Sequence, residues 1–387
     1  MRIAIAYDCL FPWSKGGGER LYRRFAEEFA AAGHDVTYIT RHHWDDYTPE
    51  IDGVRIVTVS ADRELYDDNG TRRLGPALHY AQGLFGHLRR HRGAYDAVFV
   101  SALPATNVLA VRAALVGSKV AVTVDWLEVW RPRQWREYAG PVIGTVAGVL
   151  QWTALRLSPI ATCHSKFSAR LLSACGLRGA PVISPGLIDS VAVAEPLLTA
   201  PTPPNVVYVG RHIADKRVEV LPAAIAHARQ QIPDLTATIF GDGATRPAVL
   251  AEIERLGLAD VVRTPGFVSQ QELDDGVRGS ACLVNASARE GYGLVVVESC
   301  AAGTPVVLVA AESNASVELV ENGVNGQVAA SVAPSVLGAA IVDVVSAGEP
   351  LRKTTYDWFI EASRTKTVHA TARQILARLA DVVGDRR

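Results

Sequence analysis

The chain has 387 residues and an apolar content of 49%, so we expect two domains, each with its own buried core. The formal net charge of −1 argues against a nucleic-acid binder, because that class usually carries a clear basic excess. Five scattered cysteines without metal-ligand spacing predict structural thiols in a reducing, cytoplasmic compartment.

Strand-like and helix-like segments alternate through the first half of the chain. The run RIAIAYDCL predicts a buried strand, residues 19–32 have apolar side chains at helical spacing, and DVTYIT, AVFVSA and KVAVTVD predict further strands. Continuous apolar runs of this kind are typical of parallel strands that are covered on both faces. Residues 1–188 therefore predict a doubly wound α/β domain.

An uncharged segment, residues 138–155, lies within this domain. Its 18 residues are at the lower limit for a membrane span, and its glycines and Pro141 favour a core or interfacial helix. The basic run LRRHRG, residues 88–93, ends a predicted helix, where cations favour the helix dipole. The alternative is a patch for anionic lipid, which with the nearby tryptophans would give a peripheral contact with the inner face of the membrane.

Residues 184–205 are rich in proline and small side chains and predict an interdomain linker. The alternation then restarts, with strands predicted in VVYVG, LTATIFGDG, VVRTPGF, ACLVNAS and TPVVLVA, so residues 204–352 predict a second doubly wound domain. We expect residues 353–387 to be helical throughout and to pack back across the junction onto the N-terminal domain. Open α/β sheets bind ligands at the carboxyl ends of their strands, which we expect to face a cleft between the domains.

The segment REGYGLVVVES follows one of these predicted strands and opens a helix. Gly291 and Gly293 let backbone amides approach a ligand, and the start of a helix favours anions, so the turn predicts a diphosphate-binding site. Glu290 and Glu298 would be repelled by phosphate and instead suit hydroxyl groups, Glu290 those of a sugar and Glu298 those of a ribose. Taken alone, the two acids could equally be a solvated loop residue and a helix-surface residue.

Two cations follow the first strand of the second domain, in VVYVGRHIADKR. Arg211 can form a bidentate contact with phosphate oxygens, and Lys216 provides a point charge. Together they suit a nucleotide diphosphate leaving group. A solvated basic loop is the alternative. In the first domain, SKGGGERL places another glycine turn at a helix start, but Leu21 stands where the third glycine of a dinucleotide fingerprint should fall, which disfavours a dehydrogenase.

The ordered set GGGER, GRHIADKR, EGYGLVVVE, AAGTPVV and ELVENGVNG resembles the retaining glycosyltransferases of family 4, over essentially the whole chain. Within it, EGYGLVVVE resembles the E-x7-E motif of that family. The resemblance implies the α/β GT-B fold of two Rossmann-like domains, and transfer of a sugar from a nucleotide-diphosphate donor to a hydroxyl with retention at the anomeric carbon. No Asp-x-Asp motif is present, so we expect neither a metal nor another cofactor.

The resemblance also implies roles for single residues. Arg211 and Lys216 would neutralise the diphosphate, and Glu290 would lie beside the donor sugar near the reacting centre. The remaining donor contacts that it implies are Gly17 and Gly18 at the diphosphate, Gly241, Gly243, Phe267 and Val268 near the base, Gly293 and Leu294 at the phosphates with Tyr292 in the same turn, and Glu298 at the ribose.

One position departs from the family pattern. Many members have a histidine that contacts the 6-hydroxyl of the donor sugar where VDWLEVW has Leu127. We expect either that Asp125 supplies this polar contact and so has a catalytic role, or that the donor is a pentose or a 6-deoxy sugar. Asp125 could also simply end a strand, and His164 could be either a cleft residue or a satisfied core histidine.

Two other functions share this architecture. A sugar-nucleotide epimerase lacks the ordered set of motifs, and a catalytically silent glycan-binding subunit would need the Glu or Arg–Lys positions altered, whereas all four are present. We therefore expect an enzyme of glycan, glycolipid or glycosylated-metabolite biosynthesis. Its acceptor would be a small molecule or lipid-linked, and no nucleic-acid partner is expected.

Overall fold

The computed structural model describes residues 1–14, 16–45, 49–65, 72–189 and 195–384. The chain divides into two compact units. The first unit combines Met1–Asp189 with Lys366–Arg387, and the second unit is Ser190–Thr365. Of the predicted linker, residues 184–189 belong to the first unit and residues 195–205 to the second, while residues 190–194 lie outside the described part of the chain.

The first unit is built on a seven-stranded parallel sheet. Its strands are Arg2–Ala6 (β1), Asp35–Arg41 (β2), Val54–Ser60 (β3), Ala97–Ser101 (β4), Ala121–Trp126 (β5), Ile160–Cys163 (β6) and Val182–Ile183 (β7). They lie in the order β3-β2-β1-β4-β5-β6-β7. The order therefore changes direction between β1 and β4, and such a point in an open sheet is where ligands bind.

Within the described residues, six helices connect these strands. They are Gly17–Ala31 (α1), Leu74–Arg90 (α2), Thr106–Ala114 (α3), Pro132–Ala139 (α4), Pro141–Arg156 (α5) and Lys166–Ala174 (α6). The central strands are buried on both faces, as their continuous apolar runs predict. Phe99 of β4 packs against Phe25 and Phe29 of α1, with ring centroids 5.4 and 5.8 Å apart.

The second unit has the same construction with six parallel strands. They are Asn205–Val209 (β8), Thr236–Phe240 (β9), Val262–Gly266 (β10), Cys282–Asn285 (β11), Val306–Val309 (β13) and Gly326–Ala329 (β15), while two short strands, Arg289–Glu290 (β12) and Ser313–Asn314 (β14), pair separately. The sheet order is β10-β9-β8-β11-β13-β15. Here the order changes direction between β8 and β11, so both units confirm the predicted doubly wound fold.

Helices Leu221–Ala228 (α7), Arg246–Arg255 (α8), Gln270–Arg278 (α9), Leu294–Ala301 (α10) and Pro334–Thr365 (α11) complete the second unit. Among the described residues, α11 alone is long and apolar enough to cross a membrane, by length and composition. Its Leu337, Ile341 and Val344 are buried in the core of the unit, and Gly348 breaks its helical geometry. These contacts are those of a core helix in a folded domain.

A last helix, Val368–Gly384 (α12), belongs to the first unit and packs against α1. The Thr371 hydroxyl donates to the Gly186 carbonyl at 2.5 Å, and His369 lies 2.7 Å from Glu28. Residues 366–384 thus belong to the first unit, whereas residues 353–365, which were expected to pack onto the N-terminal domain as well, belong to the second unit. The prediction that residues 353–387 are helical throughout is wrong: α11 ends at Thr365, and Thr367 forms a β-bridge with Ile188 before α12 begins.

None of the five cysteines, all of which lie in the described part of the chain, forms a disulfide, and four of them are buried. Burial raises the pKa of the Cys9, Cys282 and Cys300 thiols to about 12. Because the thiolate is the reactive form, these three side chains are unreactive at neutral pH, which agrees with a structural role.

Candidate functional site

Two loops of the second unit meet beyond the carboxyl ends of β8 and β11. The ammonium of Lys216, in the β8 loop, lies 2.5 Å from Oε2 of Glu290, in the β11 loop. Both side chains are largely buried, with exposed fractions of 21% and 19%. The structure therefore brings together two residues, 74 positions apart, that the sequence predicted to share a site.

Backbone contacts fix the approach of these two loops. Arg217 has a φ of 49°, the one positive value among the described residues other than glycine, and its Nε donates to the Ala286 carbonyl at 2.7 Å. The Ala288 amide donates to the Asp215 carbonyl at 2.8 Å. A left-handed residue with a side chain is strained and persists only where its surroundings fix it. The turn that it makes presents Lys216 to Glu290.

Arg211 lies at the end of β8 and is exposed. The buried Tyr208 donates its hydroxyl to the Arg211 carbonyl at 3.2 Å. Burial raises the pKa of the Tyr208 phenol, the Glu290 carboxylate raises it further, and the Arg211 guanidinium opposes this. Arg211 follows β8 and Glu290 follows the neighbouring strand β11, so the predicted cation and acid lie at one edge of the sheet.

The loops after β9 and β10 lie beside the β8 loop. Gly241 has a φ of 108°, and a Cβ there would lie 1.9 Å from the Gly210 carbonyl oxygen, so only glycine fits. A Cβ at Gly243 would lie 2.5 Å from the His212 carbonyl oxygen. Phe267, directly after β10, is 76% exposed, and Val268 is half-buried. These four predicted residues thus follow strands β9 and β10 at the edge where Arg211 and Lys216 follow β8.

The start of α10 supplies backbone N–H groups at the same edge. Gly293 precedes the helix with a φ of 97°, and a Cβ there would lie 2.4 Å from the Ser316 Cβ. Tyr292 and Leu294 flank it and are partly exposed, while Glu298 lies on the exposed side of α10. A helix N-terminus with unpaired N–H groups is suited to an anion.

Sequence reasoning missed the residues that support this edge. Asn314 donates to the carbonyls of Ser287 and Val309 at 3.2 and 3.1 Å and accepts from the Ser316 hydroxyl at 2.5 Å. Arg289 faces Asp215 at 3.4 Å. For Asn314 and Ser316, the polar run ESNAS, which begins three residues after the buried strand β13, was the available signal, since it meets the same criterion of position that identified the other loops.

In the first unit, Gly17 and Gly18 begin α1, as predicted. A Cβ at Gly18 would lie 2.7 Å from the Tyr7 hydroxyl and 3.2 Å from Leu127, so this glycine is needed for packing inside the unit. A Cβ at Gly16 would lie 2.3 Å from a carboxylate oxygen of Glu19, which therefore lies at the helix start. The predicted contact of Gly17 and Gly18 with a diphosphate stays a prediction.

Asp125 is fully buried at the end of β5. One carboxylate oxygen accepts from Thr162 at 2.5 Å, and the other accepts from Tyr22 at 2.8 Å and lies 3.2 Å from Nε2 of His164. His164 in turn lies 2.8 Å from the Ser184 hydroxyl through Nδ1. Both oxygens of Asp125 are thus occupied, so the geometry does not support its expected contact with a donor sugar, and His164 is a satisfied core histidine.

Among the described residues, no group of three or more His, Cys, Asp or Glu side chains could hold a metal ion. The arrangement in the second unit instead offers protein cations and helix N–H groups to an anion, with one carboxylate adjacent. Such a site can stabilise negative charge that develops on a phosphate oxygen and can orient a neighbouring hydroxyl compound.

Two family models match the chain. The model described as Glycosyltransferase Family 4 matches residues 15–189, and the model described as Glycosyl transferases group 1 matches residues 193–357. Glycogen synthase of Mycobacterium tuberculosis is 25% identical over 97% of this chain and 95% of its own. D-inositol 3-phosphate glycosyltransferase of Thermobispora bispora is 30% identical over 52% of each chain.

Solved structures share the fold at lower identity. Sucrose-phosphate synthase from Thermosynechococcus elongatus superposes with a TM-score of 0.81 at 17% identity, covering 99% of both chains. Alr3699/HepE from Anabaena, in complex with UDP-glucose, superposes with a TM-score of 0.70 at 18% identity, covering 98% of this chain and 100% of its own. The fold is GT-B, and with models of glycosyltransferases matched along both of its units, the chain belongs to the family 4 glycosyltransferases.

Proposed function

We propose that this glycosyltransferase transfers a sugar from a uridine-diphosphate sugar to a hydroxyl acceptor, with retention at the anomeric carbon and without a metal ion. The observation that carries the proposal is the 2.5 Å contact between Lys216 and Glu290, at the edge where Arg211 and the N-terminus of α10 also lie. A site that breaks a sugar–phosphate bond needs positive charge for the departing diphosphate and an acceptor of hydrogen bonds for the sugar. This edge supplies both.

The chemistry that these residues would provide is electrostatic. As the bond between the anomeric carbon and the phosphate oxygen breaks, negative charge grows on the diphosphate, and Arg211, Lys216 and the N–H groups of α10 would stabilise it. Glu290 would accept hydrogen bonds from hydroxyls of the donor sugar. Its contact with Lys216 keeps the carboxylate oriented and spreads its charge, so that the carboxylate repels the diphosphate less.

Uridine is the first candidate for the base because a solved structure with this fold contains UDP-glucose. The exposed ring of Phe267 offers a surface against which a base could stack. Both oxygens of Asp125 already accept hydrogen bonds within the protein, so Asp125 would not contact a 6-hydroxyl of the donor. We therefore propose the other alternative, a donor that is a pentose or a 6-deoxy sugar. Retention follows the resemblance to retaining enzymes in the E-x7-E motif, and the acceptor would be a small-molecule or lipid-linked hydroxyl compound.

A thermal-shift panel of UDP-, GDP-, ADP- and dTDP-sugars tests the donor. A ligand at one hundred times its Kd stabilises the folded state by about 2.7 kcal/mol, which raises Tm by several degrees. We expect the UDP-sugars, and UDP-xylose above UDP-glucose, to give this shift in the presence of EDTA. A shift that needs Mg²⁺ would refute metal independence, and no shift from any of the four bases would refute the donor class.

Proton NMR of the reaction then tests the transfer. With UDP-xylose and a mixture of simple alcohols, we expect a glycoside whose anomeric coupling constant matches that of the donor, which is the sign of retention. The opposite coupling would show inversion. A change in the sugar nucleotide itself, without transfer, would favour an epimerase instead.

A further inference from the structure

Helix α5 presents a row of apolar side chains to solvent. Val142, Val146, Val149 and Trp152 are 74%, 49%, 57% and 50% exposed and lie at helical spacing on one side of Pro141–Arg156. A surface helix normally turns its apolar side toward the core and its polar side toward water. In α5 the exposed side is apolar, and an apolar side in this position indicates a binding surface.

The opposite side of α5 is fixed to the body of the first unit. A Cβ at Gly144 would lie 2.2 Å from the Trp135 carbonyl oxygen, so α4 and α5 cross without room for a side chain. The buried Gln151 accepts from the Trp130 amide and the Trp135 indole at 3.0 and 3.1 Å, and it donates to the Trp130 carbonyl at 2.7 Å. These contacts hold α5 in one orientation, so its exposed row is a fixed feature of the fold.

The threonine hydroxyls on the exposed side need no water. Thr145 donates its hydroxyl to the Pro141 carbonyl at 2.6 Å, and Thr153 donates to the Val149 carbonyl at 2.8 Å. Each bond is made within the helix to the residue four positions earlier, which satisfies the donor without solvent. No charged residue occurs from Tyr138 to Leu155. The threonines and the valines of this surface can therefore enter an apolar environment without losing a hydrogen bond or desolvating a charge.

Cations border this surface. Residues 131–156 contain four arginines and one glutamate, a formal charge of +3. Arg131, Arg133 and Arg136 are exposed on or next to α4, before the apolar row begins. Arg156 ends α5 and lies 5.0 Å from the centre of the Trp152 ring. An apolar row bordered by arginines, with a tryptophan at its end, is the pattern of a helix that lies in the interface of a membrane with anionic lipids.

We propose that α5 docks the first unit onto the surface of a bilayer that contains anionic phospholipid. The valines and Trp152 would enter the boundary between headgroups and acyl chains, and the arginines would contact lipid phosphates. A second copy of the chain fits this surface less well. A two-fold pairing of antiparallel α5 helices would set Arg156 of one copy against the arginines before α5 of the other, so like charges would meet.

Sedimentation with vesicles tests the proposal. We expect the wild-type chain to sediment with vesicles of equal parts phosphatidylcholine and phosphatidylglycerol, and much less with phosphatidylcholine alone or at high salt. Val146→Glu with Val149→Glu should lower the partition coefficient by about tenfold or more, because two charges would have to leave water. Arg136→Gln with Arg156→Gln should lower it by about fivefold for each arginine.

Matched controls exclude a general effect of surface charge. Leu250→Glu alters an apolar side chain of similar exposure, 42%, in the second unit and should sediment as the wild type does. All variants should keep the Tm shift given by UDP, which reports the donor site, so a failure of docking is distinguished from a failure of the proposed activity. Since the arginine pair lies at exposed positions, that variant tests the proposal even if the glutamate pair prevents folding.

Three results would overturn the proposal. The wild type could fail to sediment with the mixed vesicles, or the double glutamate variant could sediment as well as the wild type. The third such result would be a dimer of the wild type and a monomer of the double glutamate variant in sedimentation equilibrium, which would make a second copy of the chain the occupant of this surface.

Discussion

The contact between Lys216 and Glu290 makes a quantitative prediction. Replacing Lys216 by Met removes the cation but keeps a chain of similar length. It leaves a Glu290 carboxylate that is 19% exposed, with the Ser287 hydroxyl 3.5 Å away. Breaking a partly buried pair in this way costs about 1–2 kcal/mol, less than for a fully buried one, and should lower Tm by a few degrees.

The effect on the reaction should be larger than the effect on stability. If Lys216 stabilises the departing diphosphate, Lys216→Met removes one preorganised charge from the transition state, which should lower kcat by about 10²–10³-fold. The assay is release of UDP from the UDP-sugar with water as acceptor, so it does not require the natural acceptor. Lys353→Met, an exposed lysine of the same unit, is the matched control and should retain full activity.

A double-variant comparison separates a catalytic pair from a structural one. If the two residues only stabilise each other, then Lys216→Met combined with Glu290→Gln should recover both stability and activity, because no unpaired charge remains. We expect the stability to recover in part and the activity to stay at or below that of Lys216→Met. UDP release by Lys216→Met at the wild-type rate would refute the role of Lys216 in the reaction.

Three further predictions follow from the geometry. Gly293→Ala should destabilise the second unit by about 2 kcal/mol or more and abolish the Tm shift given by UDP, because the left-handed turn and the nearby Ser316 leave no room for a side chain. An unchanged Tm shift would contradict the placement of the donor at α10. Asp125→Asn should lower Tm, since it disturbs the buried hydrogen bonds to Thr162 and His164, but it should leave the Tm shift given by UDP intact. A folded variant without that shift would show that Asp125 does contribute to the donor site. Burial of His87, with the charges of His91 and then Arg90 nearby, lowers its pKa to about 4. As pH falls below 6.5, the unfolded chain therefore binds a proton before the folded chain does, and stability that is present above pH 6.5 is lost toward pH 4, by about 1 kcal/mol after solvent screening. Urea unfolding at pH 7 and pH 5 should show a smaller loss of stability for His87→Gln than for the wild type.

The sequence predicts the elements of this fold well because the signal is local. Buried parallel strands such as AVFVS must be apolar along their whole length, and each loop that follows such a strand falls at the same edge of the sheet. Position after a strand therefore selected Arg211, Lys216 and Glu290 as candidates. The pairing of Lys216 with Glu290 was not predictable, because it depends on an approach of loops 74 residues apart that only the packed sheet defines.

Asp125 shows where the same criterion fails. It ends a strand at the correct edge, as a ligand-binding acid would, but its environment is set by β6 and α1, which supply Thr162 and Tyr22. Sequence position fixes the edge of the sheet on which a side chain lies, and the neighbouring elements decide whether it faces solvent or the core. The break at Lys366 was missed for a related reason, since the bridge between Thr367 and Ile188 is a tertiary contact.

The strained turn at Arg217 has a physical consequence for the donor site. A lysine on a flexible stem would lose conformational entropy each time it met a phosphate, and its charge would contribute less. Here the φ of 49° at Arg217 and its bond to Ala286 fix the backbone next to Lys216, and Glu290 holds the ammonium before any ligand arrives. The cost of orienting the cation is then met during folding, by the packing of the second unit, and the oriented charge is available to the transition state.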